Sequence, residues 1–448
     1  MPELINTQEQ AETWFGIYQS KDPPSALSMR FNSVMHNMTL VRGMPHLRPG
    51  VRRITGVQLG SGSNRTMYAM DVWKGSPDLL ISICGSSIQS IPNVGGDPTT
   101  LTDATPAGYG AFVGVAPTNT VHLKNLLFIV NSSSPNRKFN GTNITRMGLV
   151  APSSLGAPSK SGGAIVGTRN YRATLVSSAL NGSAESEPTT VTSVSYSSQQ
   201  GTFSSPTVPS SDPQVDRWNL YGEVSGHYYR VNASPATLAT SIVDNLDDAT
   251  LAVAVEMDAI GTNAVPPGNF KLLAVHQGRL VATIGTNTLY WSDLGLDLGG
   301  LYAKPHAWPA ANQLTFPETG GQSITGFISF YEWIVIFQES GIWSVRHSLA
   351  DEDVRVIAPV MVAPDYRGIG VPNQGCINML DNQILFAAKD QPYAIRRDLS
   401  GLTPNLTVSP RGEHIHQLWQ AVDFTAGAVS CADRDNRRWI FIGQGASL

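Results

Sequence analysis

The chain carries little charge: Asp, Glu, Lys and Arg make up 14% of its 448 residues, and the formal net charge is −4. A clamp for nucleic acid needs an excess of Lys and Arg against the phosphate backbone, so this balance gives no electrostatic case for one. Because charged residues are few, Ser, Thr, Asn and Gln must cover much of the surface. Such a surface is compatible with burial in a larger assembly.

Cysteine and long apolar runs are also scarce. Cys84, Cys376 and Cys431 stand singly within or beside apolar runs, and this spacing fits neither a disulfide framework nor a metal site. We therefore expect buried, reduced thiols. No segment approaches 18 consecutive apolar residues, and the polar start of the chain lacks the pattern of a signal peptide. These absences predict synthesis in a cytoplasm and no membrane-spanning segment.

Sequence patterns for catalysis are lacking as well. No Gly-x-Ser-x-Gly run stands between a strand and a helix as a nucleophile elbow. His414 and His416 share one face of a strand, but no further ligands stand at metal-binding spacing. The run 290–293 resembles a single sialidase repeat and is not repeated, while most Asp residues fall in turns. The sequence predicts no enzyme, no cofactor and no metal; a glycosidase with paired carboxylates is the enzymatic alternative.

What the sequence does contain is one hairpin phrase that recurs along the chain. The phrase is an apolar run, a short polar or Gly-containing turn, and a second run ending in Trp, Tyr or a charged residue. It occurs at 79–91, 126–139, 280–292, 333–345, 384–396 and, in part, 439–442. Hairpins that recur without helical patterns between them are typical of β-propeller blades. We predict an all-β fold with a β-propeller of about six blades.

A segment of different composition interrupts this recurrence. The run 150–163, rich in Pro, Gly and Ser, predicts a linker. Beyond it, short strands around Trp218 and Tyr228 indicate a β-sandwich similar to a fibronectin type III module. Two hairpin phrases before the segment cannot close a ring alone, so insertion into one propeller is favoured over a second free-standing domain. We expect the module to fold separately and to be excisable.

The same patterns divide the chain into four parts. We predict an N-terminal arm at 1–30, a first propeller part at 31–150, an inserted β-sandwich at 163–258 and a second propeller part at 265–448.

Arginines are few but clustered. The candidates for an interface or a channel lining are Arg42, Arg48, Arg52, Arg53, Arg396 and Arg397. Guanidinium groups suit carboxylate and phosphate partners. Two roles stay open: ion pairs between blades or subunits, and a ring of arginines that faces a channel.

Three stretches resemble the tail nozzle proteins of short-tailed bacteriophages, which include the tail tubular protein B-like hub proteins. They are Leu-Arg-Pro-Gly at 47–50 with Arg53 and Ile54, the run 273–283 that leads into 289–294, and the run 334–345, in which Glu-Ser-Gly precedes Ile-Trp-Ser-Val. The resemblance spans residues 31–443. It implies a propeller with inserted β-domains and a structural role, so it implies no catalytic residues.

The resemblance also implies a place in the virion. Proteins of this family form a homo-hexameric ring around the DNA path below the tail adaptor ring, which extends the tail channel and guides DNA during ejection. We therefore expect a virion protein, made in the host cytoplasm, that contacts the adaptor ring and is adjacent to tail fibres or tip proteins. DNA is expected to pass without specific binding. The alternative is a glycan-binding or glycan-cleaving β-propeller at the virion tip, with exposed aromatics and paired carboxylates at one propeller mouth.

Overall fold

A computed structural model of the chain divides into two compact units, Met1–Ile54 with Pro317–Leu448, and Thr55–Phe316. The structure describes residues 16–17, 31–32, 38–41, 44–47, 67–73, 78–92, 99–101, 109–114, 118–178, 184–209, 212–297, 300–316, 322–346, 360–362, 368–398, 405–411, 419, 422–424, 429–433, 438–442 and 444–445.

The first strands of the chain form two short pairs. Strand β1 (Gly16–Ile17) lies parallel to β2 (Phe31–Asn32), and β3 (Met38–Val41) lies antiparallel to β4 (Met44–Leu47).

Two four-stranded antiparallel sheets open the unit Thr55–Phe316, and each strand in them pairs with the next along the chain. The first sheet contains β5 (Met67–Trp73), β6 (Leu79–Cys84), β7 (Ser87–Pro92) and β8 (Thr99–Thr100). The second contains β9 (Asn119–Leu123), β10 (Leu126–Asn131), β11 (Ser134–Phe139) and β12 (Ile144–Arg146).

The inserted segment forms a seven-stranded sheet in the order β17-β16-β13-β15-β19, with β14 paired to β13 and β18 paired to β16. Its strands are β13 (Ser159–Ser177), β14 (Ala184–Glu185), β15 (Thr192–Phe203), β16 (Arg217–Val224), β17 (His227–Arg230), β18 (Ala236–Thr237) and β19 (Ile242–Asp244). A four-residue helix, α1 (Asp248–Leu251), follows. Asp247 caps this helix, because its side chain accepts a hydrogen bond from the backbone N–H of Thr250.

A third four-stranded sheet follows the insert in the same unit. It contains β20 (Leu272–His276), β21 (Arg279–Thr283), β22 (Thr288–Trp291) and β25 (Gln313–Thr315). Between the last two strands, the chain makes the hairpin β23 (Asp293–Asp297) and β24 (Gly300–Lys304).

The other unit continues the same topology. Its two four-stranded sheets contain β26 (Gly326–Phe330), β27 (Trp333–Phe337), β28 (Ile342–Arg346) and β29 (Val360–Met361), and β30 (Ile377–Leu380), β31 (Gln383–Ala387), β32 (Pro392–Asp398) and β33 (Asn405–Pro410). A 3-10 turn, Gln374–Cys376, precedes β30. Two pairs end the chain: β34 (Val422–Asp423) with β37 (Gln444–Gly445), and β35 (Val429–Asp433) with β36 (Arg438–Ile442).

Two-residue turns join the strands of several hairpins. Gln277 and Gly278 link β20 to β21 with φ of 46° and 80°, and Asp381 and Asn382 link β30 to β31 with φ of 48° and 58°. Positive φ at both turn positions gives the backbone twist that matches two paired strands. Gly, Asn and Asp tolerate this conformation best, so local sequence favours these turns.

The apolar runs of the hairpin phrases form strands that are buried on both faces. Every residue of β10, β21 and β27 is buried. Within the unit Thr55–Phe316, Ile81 and Ile83 of β6 pack with Leu127 and Ile129 of β10. The strands therefore have apolar neighbours on each side, which explains why the phrases are continuously apolar instead of alternating.

The six hairpin phrases are confirmed as strands of six successive sheets. The first and second runs of each complete phrase are β6–β7, β10–β11, β21–β22, β27–β28 and β31–β32, and the partial sixth phrase is β36. The chain is all-β, with propeller-type blades and an inserted β-domain, as the sequence predicts. The number of blades in a closed ring stays a prediction.

The insert differs in detail from two layers of short strands. Strand β13 pairs with β15 from Ser159 to Tyr171 and with β16 from Tyr171 to Val176, so a single long strand belongs to both halves. Tyr171, Phe203, Trp218 and Ile242 from four of its strands enter one hydrophobic cluster, and the sheet therefore curls around a core. Hydrogen bonds continue across the curl, which gives one curled sheet where the sequence predicts a sandwich.

The linker predicted at 150–163 is shorter than expected. Strand β13 begins at Ser159, where backbone pairing with Thr202 starts. The Ser and Gly residues at the start of β13 have a low intrinsic propensity for β-strands. Backbone hydrogen bonds to β15, and not side-chain propensity, hold them extended.

The insert also shares its core with the blades beside it. One cluster joins Tyr171 and Trp218 of the insert with Phe128 of β10, Leu273 of β20 and Trp308. The insert and these sheets lie in the same compact unit. This shared core argues against the clean excision that the sequence alone suggests.

Replacing 159–258 by a short Gly-Ser bridge is expected to destabilise the remainder, because Phe128, Phe270 and Trp308 lose apolar neighbours. Thermal unfolding with a dye for exposed apolar surface measures the effect. The same bridge inserted at the Ser225–Gly226 hairpin turn is the control. A deletion variant that unfolds cooperatively at the temperature of the intact chain contradicts the shared core.

The expectation of buried thiols is confirmed for two cysteines. Cys84 and Cys376 are buried thiols outside any disulfide, and burial raises the pKa of Cys376 to about 12. The side chain of Cys431 lies outside the described residues. Among the described residues, no helix has the length and apolar character needed to cross a membrane.

Candidate functional site

Only two of the six candidate arginines fall within the described chain. Arg42, Arg48, Arg52 and Arg53 lie outside the described residues. Arg396 and Arg397 lie on β32. The exposed Arg396 donates from Nε to Oε1 of Gln383 at 2.9 Å, across the hairpin.

Arg397 links two sheets of the same unit. Its guanidinium donates to Oε1 of Glu332 at 3.1 Å and lies 5.1 Å from the ring centroid of Tyr331 and 5.6 Å from that of Trp333. These residues lie at the β26–β27 hairpin, so Arg397 fastens β32 to the neighbouring sheet. A role of the arginine set at an interface or channel stays a prediction.

The described residues contain no group of three or more His, Cys, Asp and Glu side chains that could hold a metal ion. His414 and His416 lie outside the described part of the chain.

A buried polar bridge joins the insert to a blade. Nζ of Lys138, on β11, donates to Oε1 of Gln214 at 2.6 Å. Nε2 of Gln214 donates in turn to the carbonyl of Gly148 and to Oδ2 of Asp212, each at 3.0 Å. Burial lowers the pKa of Lys138 to about 7, although the carboxylate of Asp212 opposes this shift. Near neutral pH the bridge therefore holds a lysine that is partly uncharged.

His306 lies near the same bridge and is buried as well. Burial, followed by repulsion from Lys138, Lys304 and Lys124, lowers the pKa of His306 to about 3. The imidazole is therefore neutral throughout the physiological range, and it adds no second positive charge beside Lys138.

Two arginines lie near the bridge of Lys138 and Gln214. Arg137 is fully buried and donates to the carbonyls of Pro135 and Gly110 at 2.9 and 2.6 Å. The guanidinium of Arg146 lies 4.6 Å from the ring centroid of Tyr109. Hydrogen bonds hold Arg137, while Arg146 is placed by Tyr109 and by Asp212, whose Oδ2 lies 4.0 Å from its Nε. We therefore assign these two arginines a structural role.

A second polar cluster holds the insert together from within. Arg169 on β13 donates to Oδ2 of Asp244 at 2.8 Å and to the carbonyl of Leu246 at 2.9 Å, and it also pairs with Asp248. The hydroxyl of Tyr171 donates to the same Asp244 oxygen at 2.6 Å. Burial first, and then the Asp244 carboxylate, raise the pKa of Tyr171, so the phenol stays a donor.

Hydrogen bonds to the insert hold the segment 255–263, where the chain leaves the insert. The carboxylate of Glu187 accepts hydrogen bonds from the backbone N–H groups of Gly261 and Asn263 at 2.8 and 2.6 Å. The N–H of Arg230, on β17, donates to the carbonyl of Val255 at 2.8 Å. These bonds fix the last residues of the insert and the segment that follows it.

One edge of the insert stays open. Between 159 and 170, β13 pairs only with β15, because β16 joins it from Tyr171 onward. No strand of the described chain pairs with the other side of this segment. Most of its side chains are exposed, and Val166 is 74% exposed. This open edge is the best candidate surface for contact with another protein chain.

Comparisons with known proteins add no family. No family model matches the chain, and no curated protein matches it. Among solved structures, it is similar to the crystal structure of Citrobacter koseri AztD, with 12% identity over 79% of this chain and 91% of that chain, at a TM-score of 0.23. At that TM-score the likeness carries no argument.

Sequence reasoning missed the bridge of Lys138 and Gln214. Lys138 stands in the charged end of a hairpin phrase, which suggests a solvated position. Its burial depends on a residue 76 positions away. The only signal in the sequence is that Lys138 precedes Phe139 in a strand otherwise bordered by apolar residues.

The Lys138 bridge gives a pH dependence with a defined sign. Between pH 7 and 10 the unfolded chain keeps a proton on Lys138 that the folded chain has lost, since the unperturbed pKa is 10.5 and the folded pKa is about 7. The free energy of unfolding therefore rises with pH there, by up to about 1.4 kcal/mol per pH unit. Lys138→Met is expected to remove this rise in urea unfolding curves measured from pH 7 to 9.

Lys160→Met is the matched control, because Lys160 is exposed. It is expected to keep the slope of the unaltered chain. Equal slopes for Lys138→Met and the unaltered protein contradict the assignment of the buried lysine.

Proposed function

We propose that the protein is a structural virion component, a tail nozzle subunit that forms a homo-hexameric ring and guides DNA through the tail without chemistry. The likeness at 47–50, 273–294 and 334–345 to tail nozzle proteins supports this role. Each subunit contributes blades and one insert to the wall, and the channel lies between subunits.

The open edge of β13 is the observation that carries the proposal. A long unpaired strand edge readily takes up another chain, and soluble monomers usually cover it or block it with charge. The segment 159–170 has Lys160 near one end and an exposed Val166 in the middle. A neighbouring subunit covers this edge in the ring, since a contact between two different surfaces of one chain generates a closed ring when the rotation closes.

The fixed attachment of the insert suits such a role. A wall subunit has to hold its contact surface in one orientation, so the insert cannot swing freely. The bond between Lys138 and Gln214 holds the insert against a blade, and the bonds of Glu187 to Gly261 and Asn263 hold it to the segment that follows.

The weak charge of the chain suits passage of DNA. Affinity for duplex DNA grows with the number of phosphate contacts made by Lys and Arg. With a net charge of −4, and with Arg397 already paired to Glu332, we expect no retention of DNA at physiological salt. The adaptor ring and tail fibres remain the expected partners.

The oligomeric state tests the proposal. Light scattering and electron microscopy of the purified protein at high concentration, and of virions, are expected to show a six-fold ring. Val166→Lys places a charge on the open edge and is expected to abolish the ring without loss of folding, because Val166 is already exposed.

Val191→Lys is the control, because Val191 is exposed but lies outside 159–170. It is expected to keep the ring. A ring that persists in Val166→Lys assigns the contact to another surface, whereas density for this chain as a peripheral spike away from the tail axis refutes the nozzle role.

A further inference from the structure

A row of ionisable residues crosses one end of the third blade. Arg279 pairs with His276 across the β20–β21 hairpin, and Asp293 pairs with Lys304 across the β23–β24 hairpin. The two pairs are close to each other, because the N–H of Ser292, which precedes Asp293, donates to the carbonyl of Leu280, which follows Arg279, and Arg279 and Asp293 interact electrostatically. Paired residues share one face of a sheet, so His276 lies beside Arg279 and Asp293 lies beside Lys304; we call these four residues the row.

Asp258 extends this row toward solvent. Nζ of Lys304 lies 3.2 Å from Oδ2 of Asp258, whose side chain is 46% exposed. From Arg279 to Asp258 the charges therefore alternate in sign. In a chain with 14% charged residues, four alternating charges side by side are unusual.

Arg279 is the unusual member of the row. It is only 5% exposed, yet its one hydrogen bond to the described chain is a 3.5 Å contact to the carbonyl of Ser292, and its Nε has no partner. A guanidinium has five N–H donors, and burying one without an anion is costly. Two other buried arginines of the same unit, Arg137 and Arg169, donate at 2.6 to 2.9 Å.

Asp293 does not supply the missing anion by direct contact. No ion pair within 4.0 Å joins it to Arg279 among the described residues. Burial raises the pKa of the Asp293 carboxyl despite the attraction of Lys304 and Arg279, and burial lowers the pKa of Arg279. The two groups interact electrostatically without a direct ion pair.

The backbone of Arg279 is adjacent to an exposed turn. Arg279 directly follows the turn Gln277–Gly278, and Gly278 is exposed. The residue that precedes Arg279 is therefore in contact with solvent. Toward solvent, Lys304 offers a hydrogen-bond donor and Asp258 offers an acceptor.

We propose that this end of the blade, the Arg279 site, binds a small polyhydroxylated acid: its carboxylate or phosphate pairs with Arg279, and its hydroxyls contact Asp293, Lys304 and Asp258. Guanidinium groups match carboxylate and phosphate with paired hydrogen bonds. Carboxylates accept from hydroxyl groups, whereas the Lys304 ammonium donates to them. The site is independent of the proposed tail role.

Calorimetry and thermal unfolding with glucuronate, glucose and inorganic phosphate, at equal ionic strength, test the site. Glucuronate is expected to bind and to raise the Tm, phosphate to bind more weakly, and glucose not to bind. Arg279→Met is expected to abolish glucuronate binding. Lys304→Gln is expected to weaken it about tenfold, as for the loss of one charge-assisted hydrogen bond.

Arg217→Met is the matched control, because it removes one arginine that is 43% exposed and lies on the insert. It is expected to leave glucuronate binding unchanged. Without ligand, Arg279→Met is expected to have a Tm equal to or above that of the unaltered chain, since an uncompensated buried charge is removed.

Several outcomes overturn the Arg279 site. The first is that glucuronate does not bind the unaltered chain, and the second is that Arg279→Met binds glucuronate equally well. The third is that phosphate binds as tightly as glucuronate, which would show that the hydroxyl groups make no contacts. An Arg279→Met chain that fails to fold or loses Tm without ligand assigns Arg279 a structural role instead.

Discussion

Burial of one strand on both of its faces is the constraint on which the structure depends. In β10, β21 and β27 every side chain is buried, so none of these strands is stable in a sheet that has only one neighbour. Each sheet needs another packed on each face, and the recurrence of hairpins in the sequence follows from that need. The positions of polar groups are secondary to it, and buried polar side chains such as Lys138 and Arg279 are exceptions.

The insert also has to bury its apolar side chains, but it does so differently. Its sheet closes over its own core at Tyr171 and Trp218 and then continues that core into β10 and β20. Polar atoms at this boundary are satisfied in pairs, as by Lys138 with Gln214. Loss of the acceptor would leave the lysine buried without a partner, which costs free energy. We therefore infer that this bond determines where the insert attaches more than it adds to the free energy of unfolding.

The sequence predicts the elements well and their long-range contacts poorly. The hairpin phrases locate β6, β10, β21, β27 and β31 because apolar runs and turn residues are local signals. The start of β13 is missed because backbone pairing with β15, a distant partner, extends a Ser- and Gly-rich run. The proposed Arg279 site is missed for a similar reason: its residues come from two hairpins and from the Lys304–Asp258 ion pair, and no short motif contains them.

The long strand β13 has a mechanical consequence. Its first half, 159–170, pairs only with β15 and has the open edge. Its second half pairs with β14 and β16 around the buried core. A pull on the first half along the strand axis loads many backbone hydrogen bonds in shear at once, whereas a pull across it would break them one by one. The continuous backbone of β13 carries such a pull directly into the core of the unit.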